Sequence, residues 1–77
     1  MHVEVVSPMY DFQNRKYIDL RIHGLCQRVK VPFRYNRVMC SVEGIVPLQD
    51  IPPGTHAECI IEIRYGTHVL VSFRPLP

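Results

Sequence analysis

Apolar and polar residues alternate along most of this chain, and sustained 3.6-residue periodicity is absent throughout. Alternation with a period of two is the signature of strands with one buried face. In His2–Val6, Val3 and Val5 alternate with His2 and Glu4, which predicts a first strand ended by Pro8. Met9–Arg15 reads as a connecting loop, with Asp11 and Asn14 as turn formers and with two aromatics, Tyr10 and Phe12. In Lys16–His23, Ile18, Leu20 and Ile22 share one face while Tyr17, Asp19, Arg21 and His23 share the other. Gly24 interrupts that strand. The pattern resumes over Arg28–Tyr35, with Val29, Val31, Phe33 and Tyr35 on one face and Arg28, Lys30, Pro32 and Arg34 on the opposite one.

Val38–Val42 predicts a short strand closed by Gly44. Residues 45–55 read as a proline-punctuated loop, in which Pro53-Gly54 suits the two central positions of a type II turn. Glu58–Tyr65 and His68–Arg74 are the clearest strands. Gly66-Thr67 between them reads as a two-residue type II′ hairpin loop. Cys59, Ile61 and Ile63 fall on one face of this hairpin, together with Val69, Val71 and Phe73. Ile60 and Leu70 fall on the other, so both faces carry apolar groups. About five strands joined by short turns predict an all-β fold: a small five-stranded antiparallel barrel, OB-like, with an SH3-like barrel as the alternative.

Length sets the scale of this fold. The 77 residues make one domain, 1–77, with a small core. Such a chain buries only about 60% of the surface its unfolded form exposes, so help from a metal, disulfides or a partner subunit is expected. Nearly half of the residues (47%) are apolar, which argues for a packed fold rather than disorder. No apolar run approaches the roughly 20 residues of a membrane span, and a membrane role is not expected. The start, MHVEVVSP, lacks the basic-then-apolar pattern of a signal peptide. With it, the three cysteines predict free thiols in a reducing compartment, a cytoplasm.

Charge changes the picture more. Residues 15–37 hold seven of the nine bases (Arg15, Lys16, Arg21, Arg28, Lys30, Arg34 and Arg37) against one acid, Asp19, a local charge of +6. The rest of the chain has two bases against six acids, or −4, so the overall +2 conceals a dipole. Tyr17, Phe33 and Tyr35 lie among those cations. Cations interleaved with flat rings suit a polyanion whose bases can stack, which is single-stranded nucleic acid. Phe33 and Tyr35 share the Val29/Val31 face and belong in the core by that pattern, leaving Tyr17 as the stacking candidate.

Other chemistry is thin. His23-Gly-Leu-Cys26 and His56-Ala-Glu-Cys59 repeat H-x-x-C, and two His with two Cys form a legitimate zinc set. Residues three apart on a strand point to opposite faces, however, and Cys59 sits within an alternating strand, so no metal or other cofactor is expected. No Gly-rich phosphate loop, HExxH or GxSxG occurs, so an enzyme is not expected.

Three pieces of the chain resemble a known family. The end, IPPGTHAECIIEIRYGTHVLVSFRPL, the start, MHVEVVSP, and N-R-K-Y at Asn14–Tyr17 are similar to the small single-stranded-DNA-binding proteins of filamentous bacteriophages, the gene V type. That resemblance implies an OB-like barrel, a two-fold dimer and coating of single strands during phage replication in the host cytoplasm. It assigns base stacking to Tyr17, with Arg15 and Lys16 beside it as phosphate contacts. The loop after the first strand is shorter here, and the family's dimer-forming loop has no residue-by-residue counterpart. From the residues alone, a homodimer through Ile60 and Leu70 is expected, with DNA or RNA as the bound strand. Rival readings are a protein-binding inhibitor or adaptor docking its basic face on a host protein, and a structural assembly protein.

Overall fold

The computed structural model describes residues 1–32, 37–40 and 44–77, with the backbone alone for 37–40 and 44–46. Its strands are β1 (His2–Phe12), β2 (Arg15–Ile22), β3 (Leu25–Lys30), β4 (Arg37–Cys40), β5 (Gly44–Pro47), β6 (His56–Arg64) and β7 (Thr67–Pro75). A 3-10 turn, Leu48–Asp50, follows β5. Among the described residues no helix is long and apolar enough to cross a membrane.

Five strands close into a barrel in the order β1-β2-β3-β7-β6, with β6 pairing back onto β1. That is the OB order, the first of the two barrel types that the alternation leaves open. One contact departs from the antiparallel rule: β3 and β7 meet in parallel at Lys30 and Val69. β4 and β5 form a separate two-stranded sheet. Of the stretches that the sequence reads as strand, residues 33–35 and 41–42 lie outside the described residues.

Three hairpins share one device. Gln13-Asn14, His23-Gly24 and Tyr65-Gly66 each place two successive residues at positive φ (51° and 63°, 51° and 81°, 51° and 76°). This is the type I′ pattern, whose twist matches that of the strands it joins. The last of these corrects the expected Gly66-Thr67 turn: the loop sits one residue earlier and glycine takes its second position. The Pro53-Gly54 turn is as expected, with Gly54 at φ +90° and the Thr55 amide donating to the Pro52 carbonyl at 3.2 Å.

The first strand is longer than the pattern predicts. β1 runs through Pro8 to Phe12, so Tyr10 and Phe12 lie on a strand and not in a loop. Register shifts between Val5 and Ser7, and between Ser7 and Tyr10, lift Pro8 out of the regular ladder with β2. A bulge is where a strand tolerates proline.

The core follows the inward positions: Val3, Val5, Ile18, Leu20, Val29, Ala57, Cys59, Leu70 and Phe73. Leu48 and Ile51, from the segment after β5, join them at 0% and 5% exposure. Leu70 corrects an expectation. It is 1% exposed, in the core, and no dimer surface is available there. Ile60 pairs with Ser72 but Ile61 pairs with Leu70, so Val71 is an extra residue in β7 that reverses the parity beyond it. Ile63 departs in the opposite sense. It points the same way as Ile61 but lies past the end of the core, and it is 69% exposed.

Candidate nucleic-acid interface

The outer face of β1-β2-β3 is ordered by register. Tyr17 stands opposite Tyr10 on one side and Lys30 on the other. The adjoining rows are Phe12 with Arg15, and Asp19 with Arg28. The three rings cluster, Tyr17 lying 6.2 Å from Tyr10 and 6.4 Å from Phe12 by centroid. Arg28 reaches across them. Its guanidinium carbon is 4.8 Å from the Phe12 centroid and 5.3 Å from that of Tyr17, within the range of cation–π attraction. The Tyr10 hydroxyl donates to Asp19 Oδ1 at 2.7 Å. Partial burial, then that bond to Asp19, raises the Tyr10 pKa.

Beside this face lies an open cleft of about 610 Å³. It runs between the β1–β2 turn, the end of β3 and the β6–β7 turn. Arg15, Lys16, Lys30 and Arg64 line it with Tyr17 and Tyr65, over the buried valines Val31 and Val69, and no described Asp or Glu does. Two of the cations are already compensated. Lys16 donates to Asp11 at 2.8 Å, and Arg64 reaches Glu62 through Nε and Nη2 at 2.9 and 2.7 Å. Arg15 and Lys30 have no carboxylate within 4.0 Å among the described residues.

The basic residues singled out from sequence therefore divide. Arg15, Lys16, Tyr17 and Lys30 come together in the cleft, and Arg28 adjoins them. Arg21 lies two rows from Tyr17 along β2, one beyond Asp19, and is tied to Glu4 at 3.0 Å. The side chains of Arg34, Arg37, Phe33 and Tyr35 lie outside the described residues. Sequence reasoning missed Phe12, Tyr10, Arg64 and Tyr65. For the last two the signal was present, a basic and an aromatic residue directly before a hairpin glycine. Tyr65 is fully exposed and holds φ +51°, a conformation that bulky residues rarely take.

The H-x-x-C pairs do not assemble. His56 is exposed on the outside of β6 and Cys59 is buried inside it, while His23 occupies a turn. His56 Nδ1 instead lies 2.7 Å from His2 Nε2. Among the described residues no three His, Cys, Asp or Glu converge to hold a metal ion.

Burial pushes the Cys59 thiol up to about 12 from 9.0. A folded pKa above the unfolded one favours folding below the unfolded value and loses that contribution as pH rises through the interval. Stability should thus decline from about pH 9 towards pH 12, by at most about tenfold in the folding constant per unit. Brief alkylation at neutral pH followed by peptide mapping should label the exposed Cys26 and spare Cys59; labelling of Cys59 in the folded protein would contradict its placement.

Comparison with family models, with curated proteins and with solved structures finds no match to this chain.

Proposed function

We propose that this chain is a non-catalytic, single-stranded nucleic-acid-binding module that acts as a homodimer in a cytoplasm. One observation carries the reading. A cleft with four cations, two tyrosines and no described carboxylate lies between the β1–β2 and β6–β7 turns, beside the β2–β3 face. In an OB barrel, the face of the second and third strands and the loops after the first and fourth strands take oligonucleotides. Here those loops are the turns at Gln13-Asn14 and Tyr65-Gly66. The cations suit phosphates, and each exposed ring suits a base, at about 1–3 kcal/mol per stacked base. The likeness of Asn14–Tyr17 and of the terminal hairpin to the filamentous-phage proteins supports the same reading, and with it a place in phage replication.

The dimer rests on the β6–β7 hairpin, where Ile60 and Ile63, on opposite faces of β6, are 57% and 69% exposed. Ile60 keeps the role expected for it, and Ile63 takes the place of Leu70. Exposed isoleucines of this kind are best covered by a second copy about a two-fold axis.

Titration of a labelled oligonucleotide at two salt concentrations tests both parts when run beside light scattering. Four phosphates neutralised on a single strand give a slope of log K on log salt near −3. Binding that ignores salt, or a protein that co-purifies with a host protein and leaves the oligonucleotide free, would refute the nucleic-acid reading. A monomer mass at high micromolar concentration would refute the dimer.

A further inference from the structure

We propose that Asp19 makes this surface selective for bases that present paired hydrogen-bond donors, guanine above all. The inference rests on the nucleic-acid reading above and adds a base preference to it. Asp19 is the one acid within residues 15–37, and β2 sets it on the outer face, half-buried, one row from Tyr17. A carboxylate there repels the phosphates that its neighbours attract. What it can offer a nucleic acid is acceptor capacity toward base N–H groups.

That capacity is largely unspent. An ionised carboxylate has about four acceptor sites. Among the described residues Asp19 accepts only the Tyr10 hydroxyl, on Oδ1, and no Lys or Arg lies within 4.0 Å of it. Arg28 faces Asp19 directly across the β2–β3 ladder, where opposite charges ordinarily pair. Its guanidinium lies instead over Phe12 and Tyr17, and the second Asp19 oxygen has no described partner.

The bases differ in what they can bring to such a group. Guanine carries N1–H and N2–H side by side, matching the two carboxylate oxygens, with the O6 acceptor next to them for Arg28 or Lys30. Adenine and cytosine each offer one amino group. Thymine and uracil set a single N–H between two carbonyls, which would face the carboxylate. Matched bidentate contacts discriminate bases by about 5- to 150-fold.

The test measures fluorescence anisotropy of the full chain with an oligothymidine of about twelve residues, inside the range of site sizes for one OB fold. A second oligomer replaces isolated thymidines with guanosine, and a third uses inosine, which keeps N1–H and O6 but lacks the amino group. Guanosine should tighten binding about tenfold or more, with inosine in between. Asp19→Asn should erase the difference. Tyr10→Phe, which removes the tie but leaves the carboxylate, should preserve it. Equal affinity of the unmodified protein for all three oligomers overturns the guanine preference while leaving the nucleic-acid reading intact. Loss of the difference in both variants overturns it too, because Asp19 would then act only by positioning Tyr10. No binding to any oligomer overturns both readings.

Discussion

Arg15→Glu combined with Lys30→Glu should reduce the affinity for a single-stranded oligonucleotide by more than about 100-fold, since each charge-assisted hydrogen bond is worth about 1.5–3 kcal/mol. These two cations are chosen because the cleft holds them without a carboxylate partner among the described residues. Lys16 and Arg64 line the same cleft but share their charge with Asp11 and Glu62. The salt dependence should weaken with the affinity, from a slope near −3 to about −1.5, as two of four phosphate contacts are lost. The loss should be the same for every base sequence, because phosphate contacts carry no sequence information. Arg21→Glu is the control: tied to Glu4 and away from the cleft, it should change affinity little. An undiminished affinity in the double variant, with an unchanged circular-dichroism spectrum, would remove the cleft from the binding mechanism.

The parts of this fold that were legible in the sequence are those where alternation runs unbroken. Ile18, Leu20 and Ile22 alternate with polar partners, and β2 buries all three while its charged residues stay at the surface. The same holds for Cys59 in β6, while the strand begins two residues earlier than expected and buries Ala57 as well. Legibility fails wherever one residue is inserted into a ladder. Pro8 reads as a stop, yet register shifts around it let β1 continue to Phe12 and place two more rings beside Tyr17. Val71 reads as one more inward position, yet as an extra residue it sends Leu70 into the core. A bulge has no reliable signature in one sequence, because the partner strand decides whether the extra residue is accommodated.

The site was half legible for a related reason. A dense block of charge announces itself, and Arg15, Lys16, Tyr17 and Lys30 were found that way. Arg64 and Tyr65 lie about 50 residues from Arg15 in sequence, and only closure of the barrel brings them to one cleft. Pairings between distant strands are set by the packing of the whole, which local periodicity does not encode.

Leu48 is a core residue that alternation does not reveal. Leu48→Ala should destabilise the protein by about 2–5 kcal/mol, the range for removing a fully buried leucine side chain. Leu48 comes from the 3-10 turn after β5, in a proline-rich stretch that reads as surface loop, yet it is 0% exposed and packs in the core with Ile51 beside β1. Domain stabilities run at about 0.05–0.15 kcal/mol per residue, so a chain of this length has about 4–12 kcal/mol to lose. The substitution therefore consumes a large share of the total. Urea denaturation should show a lower midpoint with an unchanged slope, since the folded surface is the same. Oligonucleotide affinity measured well below the transition should stay within about twofold of the parent, because Leu48 is not among the residues lining the cleft. A midpoint that does not move would mean that Leu48 does not seal the core; a selective loss of binding in a protein that melts normally would mean that the segment after β5 belongs to the interface.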